Sequence, residues 1–208
     1  MKCPLCQERN SRRECPAVRG VICALCCGEK REVSLDCPLD CIHLQEAHRF
    51  EMGKREPPAE IPYGSHELPP GFSREMAPFL ERLAAALLEC ALEHPGTVDA
   101  DVREALDALI RTHETLATGL VYETVPPGPL AARLYRKAQD LVAQWRKAEA
   151  DRFGNAQLRD SAVLHAAVFL ARLAAAHNNN RPRGRSLIGF FRQAFPQAAP
   201  ESPLILGA

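Results

Sequence analysis

Apolar residues recur every three or four positions over four long stretches, the spacing that places side chains on one face of a helix. The first stretch starts near Ser73, an N-cap candidate, and carries Met76, Phe79, Leu80, Leu83, Leu87, Leu88, Ala91 and Leu92 before Pro95-Gly96. The second starts at Thr97 or Asp99 and runs through Val102, Leu106, Leu109, Ile110, Leu116, Leu120 and Val121. Pro126, Pro127 and Pro129 separate it from the third, with Leu130, Leu134, Leu141, Val142, Trp145 and Phe153, which Gly154-Asn155 closes. The fourth covers about Ala156 to Ala176 through Leu158, Ala162, Val168, Phe169 and Leu173. Each is about 20 residues, or about 30 Å. Short connections predict antiparallel neighbours in an up-down bundle. A short fifth helix is expected from Ser186, with Leu187, Phe190 and Phe191.

The pattern fails at both ends. Residues 53–72 hold five prolines and three glycines, which read as a linker. Before them lies a segment with few aliphatic residues and eight of the nine cysteines: Cys3, Cys6, Cys15, Cys23, Cys26, Cys27, Cys37 and Cys41. The expected organisation is a cysteine-rich module over 1–52, a Pro-rich linker over 53–72, a bundle over 73–196 and an apolar tail over 197–208. The fold class is mainly α. The tail, ending Pro203-Leu-Ile-Leu-Gly-Ala208, docks either on its own bundle or on a partner. Cys90, on the apolar side of the first long helix, reads as a core thiol.

Eight thiolates satisfy two tetrahedral Cys₄ sites, so two zinc ions are expected. A disulfide framework and an iron–sulfur cluster are the alternatives. No apolar leader precedes the cysteines, which favours a reducing, cytoplasmic setting. Cys3-Pro-Leu-Cys6 and Cys23-Ala-Leu-Cys26 are tight knuckles. They suggest one site from Cys3, Cys6, Cys23 and Cys26 and a second from Cys15, Cys27, Cys37 and Cys41. Exchange of the adjacent Cys26 and Cys27 between sites is nearly as plausible. Cys37 and Cys41, four apart, are expected on one face of a helix whose first turn contains Pro38. His43 and His48 are reserve ligands. Four sulfurs per ion leave no open position, which points to structural metal. A segment this poor in aliphatics would draw its folding free energy from the ion.

The run Cys15-Pro, then Ile22-Cys-Ala-Leu-Cys-Cys-Gly-Glu-Lys-Arg31, then Cys37-Pro-Leu-Asp-Cys41 resembles the N-terminal module of a group of bacterial proteins that carry a cysteine-rich head on a helical body. The resemblance covers residues 1–50 and, loosely, Asn180–Arg185 and the helix after it. It implies metal binding and this architecture, and no reaction. More distantly, the paired cysteines look like cross-braced zinc fingers of the MYND or RING type.

Formal charge is zero overall but unevenly divided. Residues 1–56 carry 10 Lys/Arg against 9 Asp/Glu, residues 57–128 carry 4 against 12, and residues 129–208 carry 12 against 5. Either the oppositely charged halves of the bundle pack together, or a basic face meets an anionic partner. Arg181, Arg183 and Arg185 stand close together in His177–Arg185 without an acid, and Arg192 follows on the next helix. They would pair within the molecule or bind an anionic group. The longest apolar stretch, Ala162–Ala171, is too short for a membrane span and contains His165.

No catalytic constellation is present: no Gly-rich phosphate loop, no His-Glu-x-x-His, and no Glu-x-x-His pair for a di-metal bundle site. His113 and His165 read as packed helix residues. The sequence therefore predicts a non-catalytic adaptor or interaction protein with a protein partner. The alternative is a nucleic-acid-associated protein, using the 181–185 loop and a basic third helix (Arg133, Arg136, Lys137, Arg146, Lys147).

Overall fold

The four apolar stripes become four long helices. The computed structural model describes residues 1–56, 58 and 60–195, so the apolar tail over 197–208 lies outside the described residues. The N-terminal part holds an antiparallel pair, β1 (Arg13–Cys15) and β2 (Gly20–Ile22), joined through a 3-10 turn at Pro16–Val18. Two helices follow, α1 (Ala24–Lys30) and α2 (Ile42–Met52). The body comprises a single turn, α3 (Phe72–Glu75), then α4 (Ala77–Glu93), α5 (Asp99–Ala117), α6 (Pro129–Phe153), α7 (Asp160–Ala176) and the short α8 (Ser186–Ala194).

Local chemistry explains where element ends depart from expectation. Proline suits a first helical turn, and α4 starts at Ala77 with Pro78 in that position rather than at Ser73. The second long helix stops at Ala117, short of Val121. Thr118 Oγ1 donates to the Thr115 carbonyl at 2.7 Å, and Gly119 turns left-handed at φ 83°. Leu120 and Val121 consequently lie exposed in the α5–α6 loop. The fourth long helix begins at Asp160, not Ala156, because the Gln157 and Leu158 amides donate to Glu149 at 2.7 and 2.8 Å. Cys37 and Cys41 do not share a helical face. Pro38 belongs to a turn closed by the Cys41 amide on the Pro38 carbonyl at 3.0 Å, and Cys41 is the N-cap of α2.

In the core, α5 packs against both α7 and α6, and α4 packs against α6. The consecutive pairs α4/α5 and α6/α7 meet far less closely, so short connections here do not make the nearest neighbours. Phe79, Leu83, Leu106, Leu109, Ile110, Leu134 and Tyr135 are fully buried. The Tyr135 hydroxyl is paired with Thr112 Oγ1 at 3.0 Å, as a buried polar tip requires. Cys90 is part of this core, and burial raises its thiol pKa. Acidic α4 meets basic α6 through Glu89–Lys137 at 3.2 Å, and α6 meets α7 through Arg146–Asp160 at 2.8 Å. His113, buried on α5, sits 2.9 Å from the same Asp160. Among the described residues no helix is long and apolar enough to cross a membrane.

The Pro-rich segment is strapped to the body. Arg172 on α7 donates Nε to the Pro62 carbonyl at 3.1 Å and Nη2 to the carbonyls of Tyr63 and His66 at 2.9 and 2.7 Å. His66 pairs with Glu114 at 2.7 Å, and Arg55 donates to the Ala176 carbonyl at 2.8 Å.

Candidate metal centre

Two tight loops aim the first four cysteines at one point. In the first loop, the Cys3 amide donates to the Arg9 carbonyl at 2.8 Å and the Gln7 amide to the Cys3 carbonyl at 2.7 Å. Gln7 adopts a left-handed φ of 58° to complete the turn. In the second, the β1–β2 hairpin delivers Cys23 to the N-cap of α1, where its sulfur accepts the Cys26 amide at 3.4 Å. The Sγ atoms of Cys3, Cys6, Cys23 and Cys26 all lie within 4.8 Å of one another, with Cys6 and Cys23 at 4.0 Å. A tetrahedral zinc with bonds of about 2.3 Å places its sulfurs about 3.8 Å apart. The cluster thus fits a divalent ion with only small side-chain adjustments. This is the grouping that the knuckle spacing suggested.

The electrostatics of the four thiols pull against each other. Burial would raise Cys3, but the backbone N–H groups of Cys23, Cys6 and Leu5 bring it down to about 6. Cys6 is lowered by the amides of Arg9 and Glu8. Cys26 is pushed up to about 12 by burial and by the sulfurs of Cys23, Cys6 and Cys3 around it. Backbone dipoles thus favour thiolate, while crowding of like charge opposes a fourth anion. A dication at the centre would remove that conflict. An ion held by all four would have every tetrahedral position filled by sulfur.

The other four cysteines line the same small core with Ile22, Leu35 and Leu44. Cys15, Cys27 and Cys37 are buried and Cys41 is half-buried. Among the described residues, Cys3, Cys6, Cys23 and Cys26 are the group whose ligand atoms converge, and Cys15, Cys27, Cys37 and Cys41 do not form a second such group. Cys27, one residue beyond Cys26, receives Arg31 Nη2 at 3.7 Å. Arg31 is itself buried, with its Nε unpartnered. His48 donates through Nε2 to Glu32 at 2.9 Å, so that ring nitrogen is committed to a carboxylate. His43 Nδ1 is buried without a hydrogen-bond partner, 3.5 Å from Glu46.

The arginines of the 181–185 loop face the chain's own acceptors. Arg181 pairs with Glu51 at 2.8 Å, Arg185 with Asp36 at 3.0 Å, and Arg192 with Asp40 at 2.6 Å. Arg185 also donates Nε to the Thr97 carbonyl at 3.0 Å and a second nitrogen to the Pro95 carbonyl. Arg183 has an exposed side chain, but its amide donates to the Glu32 carbonyl at 2.8 Å. Lys137 and Arg146 of the third long helix are likewise directed to Glu89 and Asp160.

Glu32 is the residue that the sequence reading overlooked. It ends the charged run Glu29-Lys30-Arg31-Glu32, where the ordinary reading is a solvated surface acid. Its side chain is in fact fully buried. Burial alone would raise its carboxyl, yet His48, the Arg185 amide and Asn179 hold it below the usual carboxylate value.

No family model, curated protein or solved structure matches this chain.

Proposed function

We propose that the protein is a zinc-braced, non-catalytic interaction module of the cytoplasm. Its head holds structural zinc and its helical body supplies a second surface. The convergence of four sulfurs within 4.8 Å, from two loops built around backbone-to-sulfur and backbone hydrogen bonds, carries the reading. Zinc suits that donor set because soft thiolates and tetrahedral closure are what it accepts most readily in structural sites. A second ion belongs in this reading to Cys15, Cys27, Cys37 and Cys41. Its support is their shared small core and the buried Arg31 guanidinium against Cys27. The interaction role is supported by the α5–α6 loop, where Leu120, Val121, Tyr122 and Val125 face solvent. Elemental analysis with native mass spectrometry tests the metal content. Two zinc ions per chain are expected, one ion leaves only the first cluster, and none overturns the reading. Affinity capture with Cys3→Ser/Cys23→Ser beside the wild type tests the role, and turnover that depends on a metal-bound water would refute it.

A further inference from the structure

Beside the Arg181–Glu51, Arg185–Asp36 and Arg192–Asp40 pairs, head and body share one buried carboxylate. Glu32 Oε2 accepts His48 Nε2 at 2.9 Å from α2 and Asn179 Nδ2 at 2.7 Å from the loop after α7. Oε1 accepts the Arg185 amide at 2.7 Å. The carbonyl of the same residue accepts the Arg183 amide at 2.8 Å. Arg181 approaches Oε2 at 3.8 Å while bonded to Glu51 on α2. Arg185 reaches the Cys37 carbonyl at 3.4 Å from its anchorage on Thr97. Most polar ties between the loop and the head thus pass through Glu32 or its immediate neighbours.

The metal cluster lies at the other end of the same short segment. Cys23 and Cys26 open α1, the helix ends at Lys30, and Arg31 and Glu32 follow directly. Arg31 turns back onto Cys27, and its carbonyl accepts Arg181 Nη1 at 3.5 Å. Glu32 is held at φ 53°, a left-handed backbone that a glutamate adopts only where its surroundings impose it.

We propose that metal in the four-cysteine cluster controls docking of the head onto the helical body, with Glu32 as the latch. This rests on the zinc reading above. An ion fixes the first turn of α1, and a seven-residue helix has little stability of its own. When the ion leaves, the far end of α1 is no longer held, and the left-handed geometry at Glu32 relaxes. A carboxylate displaced from its donors moves to water rather than stay buried and unpaired. Residues 178–185 then lose that acceptor, and Asn179 and Arg181 become accessible, while the Arg185 side chain stays anchored on the Thr97 and Pro95 carbonyls of the body. The device reports metal supply as a change in the surface the body presents.

Hydrogen exchange on the full-length chain tests the proposal, with native mass spectrometry reporting bound metal before and after chelation. Chelation of the wild type is expected to speed exchange over 178–185 by at least about tenfold, while α5 and α7 stay protected. Glu32→Gln is expected to keep its metal and show the same fast loop. Asn179→Ala, outside the head, gives the same comparison if Glu32→Gln does not accumulate. Metal present before chelation and removed by it with an unchanged loop, or a metal-loaded latch variant with a fully protected loop, overturns the latch alone. Parallel loss of protection in α5 and α7 also overturns it, because the response would then be global unfolding. Absence of metal before chelation overturns the zinc reading and the latch with it.

Discussion

The head and the body of this chain are ordered by different physics. In residues 1–52 the buried aliphatic side chains are Ile22, Leu35 and Leu44, and the rest of that small core is sulfur. In the body, α4 to α8 bury continuous apolar faces, with Tyr135, Phe79 and Phe191 among the largest enclosed side chains. Apolar burial contributes roughly 25 cal/mol per Å² whatever the ligand state. Sulfur clustered without an ion contributes little and carries unresolved charge. The contrast teaches that one chain can couple a region of conditional stability to a region of unconditional stability, provided the two share a contact.

The largest effect that would break this contrast is removal of the ion. Chelation, or Cys3→Ser/Cys23→Ser, is expected to withdraw on the order of 10 kcal/mol of folding free energy from the head. Far-ultraviolet circular dichroism should keep most of its helical signal, because α4 to α7 contribute none of the four converging cysteines. Collapse of the whole helical signal would mean that the body also depends on metal. The reciprocal change is Leu106→Ala in the body, where Leu106 is fully buried. A cost of about 2–5 kcal/mol in denaturant unfolding is expected, with metal content unchanged.

Smaller changes sharpen the boundary between the regions. Arg172→Ala removes three donors to the strap over residues 62–66. A loss of about 1–3 kcal/mol is expected, with proteolysis rising first in the strap. The smallest effect concerns acid. His177 stacks on Phe190 at 3.9 Å between ring centres. Burial and the neighbouring Arg55 lower its pKa to about 4. The unfolded chain takes up this proton near pH 6.5 and the folded chain only near pH 4. Stability from this residue is therefore complete above pH 6.5 and lost as pH falls towards 4. Partial solvent access reduces the effect to about 1–2 kcal/mol. A pH series of unfolding free energies, compared with His177→Gln, should lose that component of the slope.

Much of the body was legible in the sequence because helical periodicity is a local signal. Leu83 and Leu87 on α4, and Leu106 and Ile110 on α5, are four apart and buried. The first cysteine group was legible because Cys-x-x-Cys spacing forces two sulfurs to converge. That α5 packs on α7 and α4 on α6 was not legible, since short connections constrain chain direction more than packing partners. Nor was the turn at Pro38, where a four-residue cysteine spacing suits both a helical face and a turn leading into an N-cap. Glu32 left no signal because its partners, His48, Asn179 and Arg185, are distant in sequence. The arginines of the 181–185 loop stood out, but only the fold shows that Asp36, Glu51 and Asp40 lie opposite them.

The Arg172 anchorage has a kinetic consequence. With the chain fastened at residues 62–66, and Arg55 released from the Ala176 carbonyl, a detached head is leashed to the body by at most residues 53–61. Even fully extended, that tether reaches only about 30 Å. The local concentration of the head at its socket then stays in the millimolar range, independent of how dilute the protein is. Reattachment is unimolecular, so each excursion can be reversed on the timescale of a loop closing rather than that of two molecules meeting.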